Sequence, residues 1–323
     1  MTPHPLGKFV LARTGLLVLT LVLVSAIVFA GGQVLPGSIG RTLLGPLADA
    51  SAVAAINHQF GTDRPLLVQY WDWLSHAVVG NFGTSLALRA PVAPFLLEAL
   101  KNSAALAAMA LLFVVPAGIG AGVWAALRAN SVLDRIIVLT SVSVAIVPDF
   151  VTALASIMVF GLWLNWFPVE GSAPDSAGFW THVYYLMLPT LPLVLVYTGY
   201  IARMARAGMV EALNADYTRT AILKGLSSRR VLFHHVLRNA LMPTMTVIAT
   251  QIGYLLGGLV VIESLFHIQG LGNLVLRAAK AHDFPVLEAG VMTMATVYAV
   301  SAAAGDLLQA LLDPRIRRSP GTT

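Results

Sequence analysis

Cysteine is absent from the 323 residues, which excludes disulfides, thiolate metal sites and cysteine nucleophiles together. Charge is scarce too: Asp, Glu, Lys and Arg make up 11% of the chain, less than half of the about 25% usual in a soluble domain. No Gly-rich loop ending in Gly-Lys-Ser or Gly-Lys-Thr occurs, so nothing here cradles the phosphates of ATP for hydrolysis on this chain. Lys and Arg are missing altogether from residues 167–182.

What is present is hydrocarbon. Apolar residues reach 57% and the mean hydropathy is +0.79, values that belong to an integral membrane protein. A span needs about 20 apolar residues, and six runs qualify: Phe9 to Ala30, Asn102 to Leu127, Arg135 to Trp166, Val183 to Ala202, Met245 to Phe266 and Val286 to Leu312. The fold class expected is therefore all-α, a polytopic membrane protein with six transmembrane helices and one membrane domain over 1–323. The first run follows Lys8 and Arg13 but lacks a convincing cleavage site, since Gln33, Val34, Leu35 and Pro36 follow the glycine pair. It reads as a retained helix. Trp163 and Trp166 suit an interfacial aromatic belt, while Pro116 and Pro148 predict kinks or freed carbonyls within spans.

The net charge of +5 and pI near 9.7 need no nucleic-acid partner, because the basic residues fall in short loops beside the spans. With the N-terminus inside, fourteen of the twenty Lys and Arg lie on the cytoplasmic side: Lys8, Arg13, Arg128, Arg135, seven in a central loop, and Arg315, Arg317 and Arg318. Arg41, Arg64, Arg89, Lys101, Arg277 and Lys280 lie outside. Both termini are expected in the cytoplasm. The outer insertion, 31–101, is long enough to fold. Between Pro65 and Val79, Leu67, Tyr70, Trp71, Leu74, Ala77 and Val78 recur at helical spacing opposite Gln69, Asp72 and Ser75, which predicts an amphipathic helix lying on the outer membrane face or on the spans.

The central loop, 203–243, holds Arg203, Arg206, Arg219, Lys224, Arg229, Arg230 and Arg238 against only Glu211 and Asp216. An Arg or Lys at the middle of a spanning helix costs about 3 kcal/mol, so this stretch is expected to fold in water. Val210 to Lys224 predicts a helix and Gly225 the left-handed residue that ends it. Ser227 is the expected N-cap of a second helix from Arg229 to Leu241, with Pro243 closing the segment. From charge alone, such a loop reads first as an orientation signal touching anionic lipid, with an exposed elbow that another protein grips as the alternative.

The residues of the loop then carry a resemblance. Asp216, Tyr217, Thr218, Arg219, Thr220 and Ala221, followed by Lys224, Gly225, Leu226 and Ser227 and by Val231, Leu232, His235, Leu237, Arg238, Asn239, Ala240, Leu241 and Pro243, resemble the cytoplasmic coupling loop of ABC importer permeases. The branch is that of the dipeptide, oligopeptide and nickel permeases. The wider class carries Glu-Ala-Ala where Arg219, Thr220 and Ala221 stand, and only the last Ala and Gly225 keep that pattern. The similarity extends over nearly the whole chain: Leu35, Pro36 and Gly37, Phe60 to Leu66, Gly83 to Ser85, Leu133 to Arg135, Glu263 with Gly270 to Gly272, Asp283 to Pro285, and Asp306 with Leu312 to Arg317. Ser38 and Ile39 stand where an Asp-Pro is usual, and Gln269 replaces a Pro.

The resemblance implies the type I transmembrane domain of ABC importers and a subunit forming half of a pathway for di- or oligopeptides in a bacterial plasma membrane. Its implied partners are a second homologous permease, two ABC ATPase subunits, an extracytoplasmic solute-binding protein, membrane lipid and the peptide itself. ATP and Mg would sit on the ATPase subunits, with no cofactor or catalytic residue here. Arg219, Thr220, Ala221, Lys224, Gly225, Leu226, Leu237 and Arg238 would form the coupling loop: Arg219, Lys224 and Arg238 as charge contacts, Ala221 and Leu226 as socketed apolar surface, Gly225 as the bend. Nickel or another small solute remains an alternative cargo.

Few residues invite chemistry beyond this. His234 and His235 are helix neighbours pointing about 100° apart, a poor metal pair. Asp149, beside Pro148 in the third span, is either a feature of the translocation path or a protonated, hydrogen-bonded group. Glu263 and Glu288 read as structural groups near the outer interface, and Asp306 as a partner for a basic residue. A stand-alone ion-coupled carrier needs a relay of intramembrane charges, for which Asp149 alone is thin support. A membrane enzyme needs a nucleophile and a base together, and none is evident.

Overall fold

The computed structural model describes residues 5–34, 39–45, 47–59, 61–174 and 176–312. Leu35 to Gly37, Ser38, Phe60 and the terminal residues Asp313 to Arg318, several of which carry the family resemblance, lie outside them. Among the described residues the regular structure is all helical apart from one isolated bridge, Thr84 to Pro91. In order the helices are α1 (Pro5–Val34), α2 (Ile39–Leu44), α3 (Ala50–Gln59), α4 (Leu66–Val78), α5 (Val92–Leu127), α6 (Val132–Ile146) and α7 (Asp149–Ser156), which continues as a π-helical stretch over Ile157–Trp163. Then come α8 (Phe179–Asn214), α9 (Asp216–Leu223), α10 (Ser228–Arg230) with a π-helical stretch over Val231–Val236, α11 (Leu237–Leu265), α12 (Leu271–Ala281) and α13 (Phe284–Leu312). Among the described residues, helices α1, α5, α8 and α13 are each long and apolar enough to cross a membrane, and counting each of two bent helix pairs as one span brings the number up to six.

The third expected span, Arg135 to Trp166, is not one continuous helix but α6 and α7 bent by 104°. Pro148 is the cause: its ring disfavours the helical conformation for the residue before it, and Val147 is extended at φ −72°, ψ 127°. Pro116, in contrast, sits inside an unbroken α5. Pro243 does not close the central loop either, because α11 runs through it. Pro243 removes one donor there, the N–H that would reach the Asn239 carbonyl, and Asn239 is exposed.

The chain packs as two compact units, one comprising residues up to Thr14, Ala104–Ile268 and those from Val300 onward, the other Gly15–Ser103 and Gln269–Ala299. In the first unit α8 and α11 form the centre. Leu188, Leu193 and Ile201 of α8 and Leu255, Leu259 and Ile262 of α11 are fully enclosed with Leu106, Ala110 and Val114 of α5. Small residues allow this approach in a medium where lipid gives helices no hydrophobic reason to associate. A Cβ on Gly199 would fall 2.8 Å from the Ser141 carbonyl oxygen of α6, and one on Gly208 would collide with the Ala240 carbonyl of α11.

In the second unit, Val92, Leu96 and Ala99 of α5 pack against Leu271 and Ala278 of α12 and Val286 and Ala289 of α13. The predicted amphipathic helix is α4, docked on α1 by Tyr70 and Trp73 against Phe29 at 5.5 and 5.9 Å and by Tyr70 Oη to Ser25 Oγ at 2.8 Å. Its inward face differs from the expected one. Gln69 turns in, donating to the carbonyls of Thr62 and Arg64, while Leu67, Trp71 and Val78 remain exposed. The turn before α5 hangs on a single carboxylate: Asp283 accepts from Ser85 Oγ at 2.5 Å and from the Leu86 and Ala87 amides at 3.1 and 3.2 Å.

Candidate coupling elbow and intramembrane cavity

The basic loop begins inside a helix rather than after one. Arg203 and Arg206 belong to α8, unbroken to Asn214, instead of a separate folded element in water. Arg206 Nη2 meets Asp134 Oδ2 of α6 at 2.7 Å and its Nε meets Oδ1 at 2.5 Å, a bidentate pair that buries Asp134. The same carboxylate accepts from the Asn130 amide at 2.9 Å, and Ser131 Oγ caps α6 by accepting from the Asp134 amide at 3.2 Å. Arg203 stacks its guanidinium over Tyr200 at 5.1 Å. The serine three residues before Asp134 is a capping signal that the sequence does contain.

The helix predicted from Val210 to Lys224 is two helices, broken at Ala215, which is extended at φ −69°, ψ 150°. Thr218 makes the turn: its hydroxyl donates to the Ala212 carbonyl at 2.7 Å, satisfying an end group of α8 and fixing α9 against it. Gly225 does end α9, at φ 75°. Its amide donates to the Ile222 carbonyl at 2.9 Å and the Leu226 amide to the Ala221 carbonyl at 3.3 Å, the paired bonds of a Schellman cap. Ser227 occupies the N-cap position of α10 but makes no side-chain cap bond.

The cap decides which side chains face out. Ala221 is only 5% exposed, enclosed with Met209, Ala212, Val231, Val236 and Ala240, and Leu226 and Leu237 pack on the same cluster. Ala221 and Leu226, expected as the socketed surface, therefore hold the elbow to its own bundle. The outward apolar groups are Tyr217, Ile222 and Leu223, the last 87% exposed. Arg219, Thr220, Lys224, Gly225 and Arg238 are all exposed around them. The result is a rigid knob with an apolar tip and a basic collar.

Asp149 opens α7 just after the 104° break and lines a cavity of about 790 Å³ in the first unit. Tyr197, Tyr200, Thr250, Gln251 and Tyr254 share its walls, and Tyr197 Oη donates to the Tyr254 carbonyl at 3.1 Å. Half-buried, Asp149 is the charged group of this lining, and the tyrosines, the glutamine and the threonine add hydroxyls and an amide. Of the other acidic residues, Glu263 and Glu288 are buried, whereas Asp306 pairs with Arg13 at 3.1 Å, as its position beside basic residues suggested.

Comparison with known proteins accounts for this architecture. Residues 118–318 match the family described as binding-protein-dependent transport system inner membrane component, and residues 6–111 its N-terminal membrane component. A probable peptide ABC transporter permease protein, y4tP of Sinorhizobium fredii, is 34% identical over 312 residues, covering 97% of this chain and all of that protein. The glutathione transport system permease protein GsiC of Escherichia coli is 36% identical over 310 residues, 96% of this chain and 99% of the relative. Among solved structures, an amino acid ABC transporter crystallised with histidines aligns with a TM-score of 0.50 at 15% identity over 69% of this chain and 94% of that one, a likeness of fold. The chain is thus a multi-pass protein of the bacterial plasma membrane and belongs to the binding-protein-dependent transport system inner membrane components, the permease subunits of ABC importers that work with ATPase and binding-protein partners.

Proposed function

We propose that this chain is one of two homologous permease subunits of an importer for di- and oligopeptides. The observation that carries this reading is the similarity, nearly end to end, to permeases whose names specify peptide and glutathione, itself a tripeptide. The termini and the elbow lie in the cytoplasm, in keeping with the excess of basic residues on that side. Two ATPase subunits bind ATP and Mg there and a solute-binding protein delivers cargo from outside. No catalytic residue is needed on this chain.

In this reading Ile222 and Leu223 enter an apolar socket on the ATPase while Arg219, Lys224 and Arg238 meet acidic groups around it. Gly225 keeps the bend, and Ala221, Leu226 and Leu237 transmit the displacement into α8 and α11 through the cluster they share. The cavity bearing Asp149 forms part of the translocation path, its carboxylate facing the cationic end of a zwitterionic peptide. Alternating access then requires two packings of the bundle close in energy, biased by ATP.

The test is uptake by the complete transporter, reconstituted with its ATPase and binding-protein partners, of labelled dialanine, glutathione and nickel in separate trials. ATP-dependent accumulation of peptide is the expected result. Accumulation of nickel alone would replace the cargo, and uptake indifferent to ATP would overturn the importer reading.

A further inference from the structure

The second unit contains a cavity of about 740 Å³ that the transport reading does not use. It lies among α1, α4 and the start of α13, with Gln33, Gln69, Asp72, Trp73, His76 and Glu288 in its walls. Glu288 is only 8% exposed, and among the described residues no hydrogen-bond donor or cation meets its carboxylate. A cradle has been left for it. A Cβ on Gly32 of α1 would fall 2.5 Å from Glu288 Oε1, so a larger residue there would push the carboxylate out of its place.

The other charges in the cavity are already answered. Asp72 pairs with Arg64 at 3.3 Å, and His76 Nδ1 lies 2.7 Å from the Asp72 carbonyl oxygen. Gln69 spends its amide hydrogens on the Thr62 and Arg64 carbonyls, so its side-chain oxygen keeps only a long contact of 3.5 Å from Gln33. One carboxylate without a counter-charge and an acceptor oxygen in the walls of the same cavity make a site for a cation, because a buried carboxylate that finds no counter-charge gives up its charge by taking a proton, and a bound cation lets it keep that charge. Among the described residues no three His, Asp or Glu side chains converge to hold a metal ion. The volume falls in the range of organic ligands, and an ammonium group carries three donors, which suit a carboxylate and amide oxygens.

We infer that this cavity is a binding site for the primary ammonium group of a small organic molecule of about dipeptide size, with Glu288 as its counter-ion. Only the source of that ammonium, the free N-terminus of a peptide, rests on the importer reading. The site is separate from the cavity that holds Asp149, which belongs to the other unit.

Calorimetric titration of the assembled permease and ATPase complex, without its binding protein, tests the assignment with dialanine and N-acetyl-dialanine as probes. Wild type should bind dialanine at least about tenfold more tightly than the acetylated form, the scale of a hydrogen bond to a charged group. Because Asp149 is itself placed opposite a peptide ammonium group, the variants are compared in the Asp149→Asn background, where the preference should persist: there Glu288→Gln should remove it and Glu288→Asp should retain most of it. Equal binding of the two probes by wild type, or an assembled Glu288→Gln complex in that background that keeps the preference, overturns the proposal. A preference abolished by Asp149→Asn overturns it as well. Should Glu288→Gln fail to assemble, the wild-type comparison and the Asp149→Asn control still decide. Uptake indifferent to ATP would defeat the importer reading without touching this titration.

Discussion

Asp283 and Asp134 each show one carboxylate organising a backbone. Asp283, 3% exposed, gathers a hydroxyl and two amides of the turn before α5, and Asn in its place turns an amide group toward donors. Asp283→Asn should destabilise the protein by about 2 kcal/mol, since buried donors then go unanswered. The loss is measurable as a lower thermal midpoint and faster proteolysis within residues 80–91. Arg206→Ala removes the partner of a buried Asp134 and should cost about 3 kcal/mol, whereas the double variant with Asp134→Asn should recover part of it. Equal stability of the single and double variants would show that the pair contributes through packing alone.

Among the elements, long apolar helices were the legible part, because a membrane span announces itself by length and hydropathy alone. The breaks were not. Ala215 is a good helix former in any propensity scale, yet it separates α8 from α9 because Thr218 reaches back to the Ala212 carbonyl, a contact that single-residue preference does not express. Prolines show the same limit: Pro148 breaks its span, while Pro116, Pro189, Pro192 and Pro243 remain inside helices. Tertiary packing decides between these outcomes. The bend at Gly225 was readable, since a helix stop needs a residue at positive φ. The facing of the eight-residue α9 was not readable, because its Schellman cap turns Ala221 and Leu226 inward and leaves Ile222 and Leu223 outside. On the proposed coupling, Leu223→Asp should leave the protein inserted and folded while lowering ATP-driven uptake at least about tenfold, the scale expected when a charge is forced into an apolar socket. Gly225→Val should uncouple likewise through strain at φ 75°, so ATP hydrolysis persists while uptake falls. Normal uptake by both variants at normal expression would remove the elbow from the mechanism.

For the whole molecule, the two compact units divide the labour suggested by their lining residues. One holds the elbow and the Asp149 cavity, and the other holds the clamp at Asp283 and the pocket around Glu288. Asp149→Asn should raise the KM for peptide uptake several-fold with little change in ATP hydrolysis, if the carboxylate faces the cargo. A change in hydrolysis alone would assign it to the moving parts instead.

The bare tip of α9 also bears on stoichiometry in the cell. On the proposed coupling, Tyr217, Ile222 and Leu223 stand in water on any copy that lacks its ATPase neighbour, and uncovered oily side chains are what membrane proteases and chaperones recognise. Orphaned copies should therefore be degraded faster than assembled ones in a pulse–chase experiment, and Ile222→Ser with Leu223→Ser should prolong their life. The groups that on this reading drive transport then also register whether assembly has taken place.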